Sequence, residues 1–362
     1  MATISRSGSP GTIRRSNRNQ SIEICKLFAS FLVVFAHIPF PGLIGKAADC
    51  LAKITVAFFF AVTGYFNYQV TDTAKIKLRI LHIVKLNIIA SFAEILWKVL
   101  ETEYHGGSTI VYLKSIIPSA FDIRQLLILN INPYRVHLWY LFAILEIYVL
   151  LYLYVCFWGK QKPNYRPLYI ISSCLLAINI VFSVYGLSVD FIVNPWLFYN
   201  AIFYGLPMFS IGVFIHEYQD RIMENYSLNT FRLICVFLFG TILSVIETMG
   251  SSGTYSYVYL GCMIEMTALL LLCLRYPQIA GPSKTADFII SRLGLYSTTV
   301  YIVHYIMLDV YSLLFMPYFV GYSETLEGYL RPIIIVTMSL MTAVVCDLVL
   351  HIAKRSGKKT RC

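Results

Sequence analysis

Ile22-Glu23-Ile24-Cys25-Lys26-Leu27-Phe28-Ala29-Ser30-Phe31-Leu32-Val33-Val34-Phe35-Ala36-His37-Ile38, closed by Pro39, is the stretch that decides the fold. Between Leu27 and Ala36 it carries no charge, and Ser30 is its only polar side chain. A run of this kind, at or near the ~20 residues needed to cross hydrocarbon, reads as a membrane helix. It is too long for a signal-peptide core, and no small-residue cleavage site follows it. Pro39 and Pro41 end the helix, because the residue before a proline is pushed out of the α region.

Nine further apolar runs continue the pattern, at roughly 54–70, 80–100, 136–157, 168–186, 196–215, 232–248, 255–274, 294–314 and 333–353. Only 13% of residues are charged and mean hydropathy is +0.68, whereas soluble domains carry about 25% charged residues. The expected fold class is therefore all-α: a polytopic integral membrane protein of about ten transmembrane helices. Residues 1–20 read as a disordered polar tail, 21–353 as the ten-helix transmembrane domain, and 354–362 as a basic tail. No internal repeat is evident, which disfavours a repeat-built transporter.

The formal net charge of +10 does not point to nucleic acid, because the basic residues sit in short loops between apolar runs. With the N-terminus inside, the inner segments hold most of the 29 Lys and Arg residues, as the positive-inside rule requires. Ten spans then put both termini in the cytoplasm of a cell (inner) membrane. The nine cysteines mostly fall in or beside apolar runs and read as small hydrophobes. No CxxC or His/Cys metal spacing occurs, so no metal site is expected.

Ionisable groups inside a bilayer are expensive and mark candidate sites. Lys26 and His37 are eleven residues apart, which places them on one helix face, offset by about 20° and about 16 Å apart along the axis. Lys26 either snorkels to headgroups or serves a reaction; His37 either caps its helix or works as a base. In the third run Asn87, Ser91, Glu94 and Lys98 form one polar stripe, with Glu94 and Lys98 spaced for an i,i+4 ion pair. Asp347 and His351 carry the same spacing. Arg135, His137 and Trp139 open the fourth run, and Glu146 lies deeper in it without a local partner. Glu265 is equally isolated, and Ser297, Tyr301 and His304 form a second stripe. No nucleotide-binding loop, voltage-sensor helix or pore filter is present.

Several of these segments resemble, in order, those of the acyltransferase-3 family of integral membrane acyltransferases. Lys26 and His37 match its basic residue followed by ten residues and a histidine. Phe58-Phe59-Phe60-Ala61-Val62-Thr63-Gly64-Tyr65-Phe66 looks like its second helix, and His137-Leu138-Trp139-Tyr140-Leu141 like the entry to its fourth. Tyr204-Gly205-Leu206-Pro207-Met208-Phe209 and the stretch Ser297 to His304 are also similar. The resemblance spans roughly residues 20–352. Two positions depart from it: Lys26 stands where Arg is commoner, losing the planar fork, and Tyr199 stands where relatives carry Arg.

The resemblance implies transfer of an acyl group, most often acetyl, from cytoplasmic acyl-CoA to a hydroxyl of a cell-surface carbohydrate or lipid-linked glycan. It makes His37 and Lys26 the catalytic pair, with His37 acting as general base or as a transient acyl carrier. Arg79, Lys75 and Lys77 would hold the CoA phosphates. Glu146, His304, Arg135, His137, Trp139 and Glu94 would orient His37 or the acceptor. No permanently bound cofactor is implied; the partners are acyl-CoA, the acceptor and membrane lipid. The competing readings are a secondary exporter using Glu94, Glu146 and Glu265 as a proton relay, and a non-catalytic membrane sensor.

Overall fold

A computed structural model describes residues 18–158, 163–183, 195–224, 228–250, 260–279, 284–319 and 324–359. The tail at 1–17, Lys160, Lys162 and the last three residues lie outside that set. Every regular element in it is helical: α1 Gln20–His37, α2 Gly42–Asn67, α3 Thr73–Tyr104, α4 Thr109–Ser115, α5 Ala120–Leu129, α6 Trp139–Trp158 and α7 Arg166–Ser183. After these come α8 Leu206–Glu217, α9 Gln219–Glu224, α10 Thr230–Gly250, α11 Leu260–Arg275, α12 Lys284–Leu314 and α13 Glu324–Lys359.

Among the described residues, seven helices (α1, α2, α3, α6, α10, α12 and α13) are long and apolar enough to cross a membrane, and two shorter apolar helices, α7 and α8, accompany them. The protein is a multi-pass membrane protein. The expected run at 255–274 corresponds to α11, 16 residues packed between α10 and α2. Several helices outgrow the sequence expectation. α2 starts at Gly42 rather than 54, because Lys46, Asp49 and Lys53 break the apolar run without breaking the helix; Lys53 lies 3.7 Å from Asp49. α3 begins at Thr73, where the Asp72 carboxylate accepts the Ala74 and Lys75 amides. α12 and α13 also start earlier than expected, α13 running through Pro332.

Packing inverts the soluble pattern. On α3, Ile88, Phe92, Leu96 and Leu100 face outward on successive turns, while Ala90 and Glu94 are buried. Apolar side chains that would aggregate in water are at home against lipid tails, so the interior is free to hold polar groups. Helices approach closely where a side chain is missing. A Cβ on Gly64 of α2 would stand 1.9 Å from the Phe209 carbonyl oxygen, and one on Gly212 of α8 1.8 Å from that of Ala61. These contacts seal α2 to α8 backbone against backbone.

Two sets of side-chain contacts give the helix directions. Asn67 near the end of α2, Arg79 near the start of α3 and Tyr148 on α6 meet at one end of the bundle. His37 ending α1, Glu94 on α3, His137 before α6 and His304 on α12 meet at the other. α1, α3 and α12 therefore run one way while α2 and α6 run back, the alternation expected of consecutive spans.

Candidate active site

Pro39 cuts α1 off just after His37, leaving the imidazole exposed at the helix terminus. Its Nδ1 lies 3.1 Å from the Tyr305 hydroxyl. Its ring stacks on that of His304, with centroids 5.5 Å apart. His304 and His137 are both buried and their rings meet edge to face at 4.8 Å. The imidazole of His137 in turn stacks on the Tyr305 ring at 4.6 Å.

Carbonyl partners fix the neutral tautomers, since a carbonyl can only accept. His304 donates from Nδ1 to the Tyr301 carbonyl at 2.7 Å, which leaves its Nε2 as the bare nitrogen. His137 donates from Nε2 to the Ile302 carbonyl at 3.3 Å, leaving Nδ1 bare. Those two bare nitrogens and Glu94 Oε1 have no hydrogen-bond partner among the described residues. Three polar atoms without a protein partner are thus gathered in the buried interior, an arrangement that packing alone would not favour.

A charged network braces this cluster. Arg135 donates from Nε to Glu94 at 2.8 Å and from a terminal nitrogen to Asp309. Asp309 also accepts from Trp97 Nε1 at 3.1 Å and pairs with Lys98 at 3.1 Å. The Arg135 guanidinium lies 5.4 Å from the centre of the Tyr305 ring. Glu94, Asp309 and Glu101 are each paired with Arg135 or Lys98 here, as burial of charge demands. The sequence spacing suggested a Glu94–Lys98 pair. In the structure Glu94 pairs across the bundle with Arg135, while Lys98 pairs across it with Asp309 and one turn along α3 with Glu101. Asp347 likewise takes Arg292 and Tyr296, not His351.

At the opposite end of α1 lies a cavity of about 380 Å³ between α1, α2, α3, α6 and α12. Lys26, Asn67, Arg79, His82 and Ser297 line its polar end, whereas Val33, Leu86, Tyr140, Leu141 and Tyr301 close its apolar end. Lys26 is held 3.1 Å from Glu23 and so is not an unpaired point charge. Arg79 donates to Asn67. His37 is not on the cavity wall: one turn of α1, about 5.4 Å, separates it from Val33. The Tyr301 hydroxyl, bonded to the His137 carbonyl, sits in that partition.

The remaining expected site residues are scattered. Lys75 is exposed and pairs with Asp72 at 3.7 Å, and Lys77 lies over the Tyr152 ring. Trp139 is buried against Tyr199, Tyr204 and Phe60, not against a histidine. Glu146 faces Asn130, whose side-chain oxygen accepts the Ala201 amide. Glu265 accepts from Thr241 on α10. Sequence reasoning missed Tyr305 and left Asp309 without a role, although both extend the Tyr301 face of α12 at four-residue steps. No cluster of three or more His, Cys, Asp or Glu able to hold a metal occurs among the described residues.

The sequence model of the acyltransferase-3 family, described as an acyltransferase domain, matches residues 19–351. The chain belongs to that family. Its match takes in α1 from its first turn and nearly all of α13, so this membrane acyltransferase carries the family's domain over almost its whole length. No curated protein and no solved structure matches the chain.

Proposed function

We propose that this acyltransferase moves an acyl group, acetyl in the first instance, from acyl-CoA at the cytoplasmic face to a hydroxyl of a cell-surface carbohydrate or lipid-linked glycan. The observation that carries this reading is the division of labour along one face of α1. Lys26 opens onto the cavity at one end of the helix, and His37 presents an exposed imidazole beside two buried histidines at the other.

Arg79 and Lys26 lie where the phosphates of a CoA entering the polar end would meet positive charge, and the apolar end suits the pantetheine arm and its acyl group. His37 acts as general base. Its Nε2 takes the proton of the acceptor hydroxyl while the oxygen attacks the thioester carbonyl. The tetrahedral intermediate collapses with cleavage of the C–S bond, and the imidazolium returns its proton to the departing thiolate. Transfer requires the acyl group to pass the Tyr140–Tyr301 partition. The three glutamates of an exporter relay are separately partnered, and none lines the cavity, which favours chemistry over transport.

The test uses purified protein in nanodiscs, radiolabelled acetyl-CoA and an envelope glycan fraction. Expected is release of CoA with label in the glycan, lost in His37→Ala. A protein that moves solute across proteoliposomes without consuming acetyl-CoA would overturn the reading.

A further inference from the structure

An imidazole has two nitrogens and, when neutral, one proton. Which nitrogen is the base is decided by what holds the other. For His37 that partner is the Tyr305 hydroxyl, 3.1 Å from Nδ1. We propose that Tyr305 is a positioning residue that keeps the proton of His37 on Nδ1 and leaves Nε2 bare toward the acceptor.

The argument rests on the reading of His37 as base and then goes beyond it. Were Tyr305 to donate to Nδ1, the imidazole proton would sit on Nε2, and neither nitrogen would be available to take a proton. Catalysis therefore requires the opposite polarity: Nδ1–H donates, and the tyrosine oxygen accepts. When Nε2 gains the acceptor's proton, the Nδ1–H···O bond becomes charge-assisted and tightens. No electron pair leaves the ring in this step, and the Nδ1 proton stays where it was.

Tyr305 is built to hold its oxygen still. Its ring lies nearly parallel to His137, with an interplanar angle of 18°, and stands 5.0 Å from His304. The Arg135 guanidinium approaches the same ring and is itself tethered to Glu94 and Asp309. Stacking and cation–π contact immobilise a tyrosine side chain that has few torsions to lose. The buried histidines thus reach His37 through Tyr305 as well as by direct stacking. The charged network fixes the ring, and the ring fixes the hydroxyl.

The experiment compares wild type with Tyr305→Phe, which retains the stacked ring and removes only the oxygen. Protein carrying ¹⁵N-histidine is placed in nanodiscs, and the His37 signals are identified by their loss in His37→Gln. Expected in wild type is a protonated Nδ1 and a bare Nε2; in Tyr305→Phe the proton moves to, or averages with, Nε2. In parallel, CoA release from acetyl-CoA with the envelope glycan fraction should show kcat falling about tenfold with KM for acetyl-CoA unchanged, the scale of one neutral hydrogen bond. A wild-type His37 protonated on Nε2, or a tautomer unmoved by Tyr305→Phe, overturns the proposal. If the tautomer behaves as expected while His37→Ala keeps full transfer, the general-base reading fails and the positioning of His37 stands.

Discussion

The two ends of α1 are built on opposite plans. Around Lys26 the protein leaves space: a cavity, a lysine held by one neighbouring carboxylate, and an arginine bonded to one asparagine. Around His37 it gathers fixed neighbours: two buried histidines, a clamped tyrosine and a network of paired charges. On the proposed reading the cavity is the donor site, which must admit and release a large flexible molecule, so over-determining it would cost turnover. A reacting imidazole must be held to within a fraction of an ångström, which requires neighbours with no freedom of their own.

If that contrast is right, the largest effect comes from His37→Ala. Transfer, read as CoA release, should fall about 10²–10⁴-fold, while acetyl-CoA binding measured by equilibrium dialysis stays as in wild type. Loss of binding as well would merge the two ends into one site. Arg135→Ala comes next, because it strands Glu94, 1% exposed, and deprives Asp309 of a partner. Removing one member of a buried pair costs about 3–5 kcal/mol, and a marked drop in thermal midpoint in nanodiscs should report it. An unchanged midpoint would mean that the cluster around His37 is looser than its contacts indicate.

Arg79→Ala probes the open end, where the signature should be kinetic rather than structural. Losing a charged contact to phosphate is worth about 1.5–3 kcal/mol; KM for acetyl-CoA should rise at least tenfold, with kcat and thermal midpoint nearly unchanged. The smallest effect belongs to Lys75→Ala. Its side chain is 70% exposed and pairs only with Asp72, so solvent screening limits its contribution to about 0.2–1 kcal/mol. A Lys75→Ala penalty equal to that of Arg79→Ala would extend the donor site out of the cavity onto the surface.

Much of this was legible along the chain because lipid imposes simple rules. The apolar runs located the core of each long helix, and the Lys26–His37 interval survives as a feature of α1. Helix starts were not legible at α2, α12 and α13, where charged or proline residues interrupt hydropathy but the backbone continues. Ion pairs were the weakest point. Glu94 has a lysine one turn away yet pairs with Arg135, forty-one residues on, since the bundle interior offers a better-desolvated and bidentate-capable partner. Tyr305 left little trace, being one tyrosine among 27; only its four-residue step from Tyr301 marked it.

By itself, then, the sequence determined that the chain lives in a membrane, where the core of each long helix lies, and that one helix carries a lysine and a histidine on a shared face. Periodicity and transfer energy act locally, so composition and spacing suffice for these. Only the tertiary structure decided that His37 meets His304, His137 and Tyr305, that Lys26 opens onto a cavity His37 does not touch, and which carboxylate neutralises which cation. Those are contacts between residues tens to hundreds of positions apart. They are selected by how helices pack and by the cost of leaving a charge unpaired out of water.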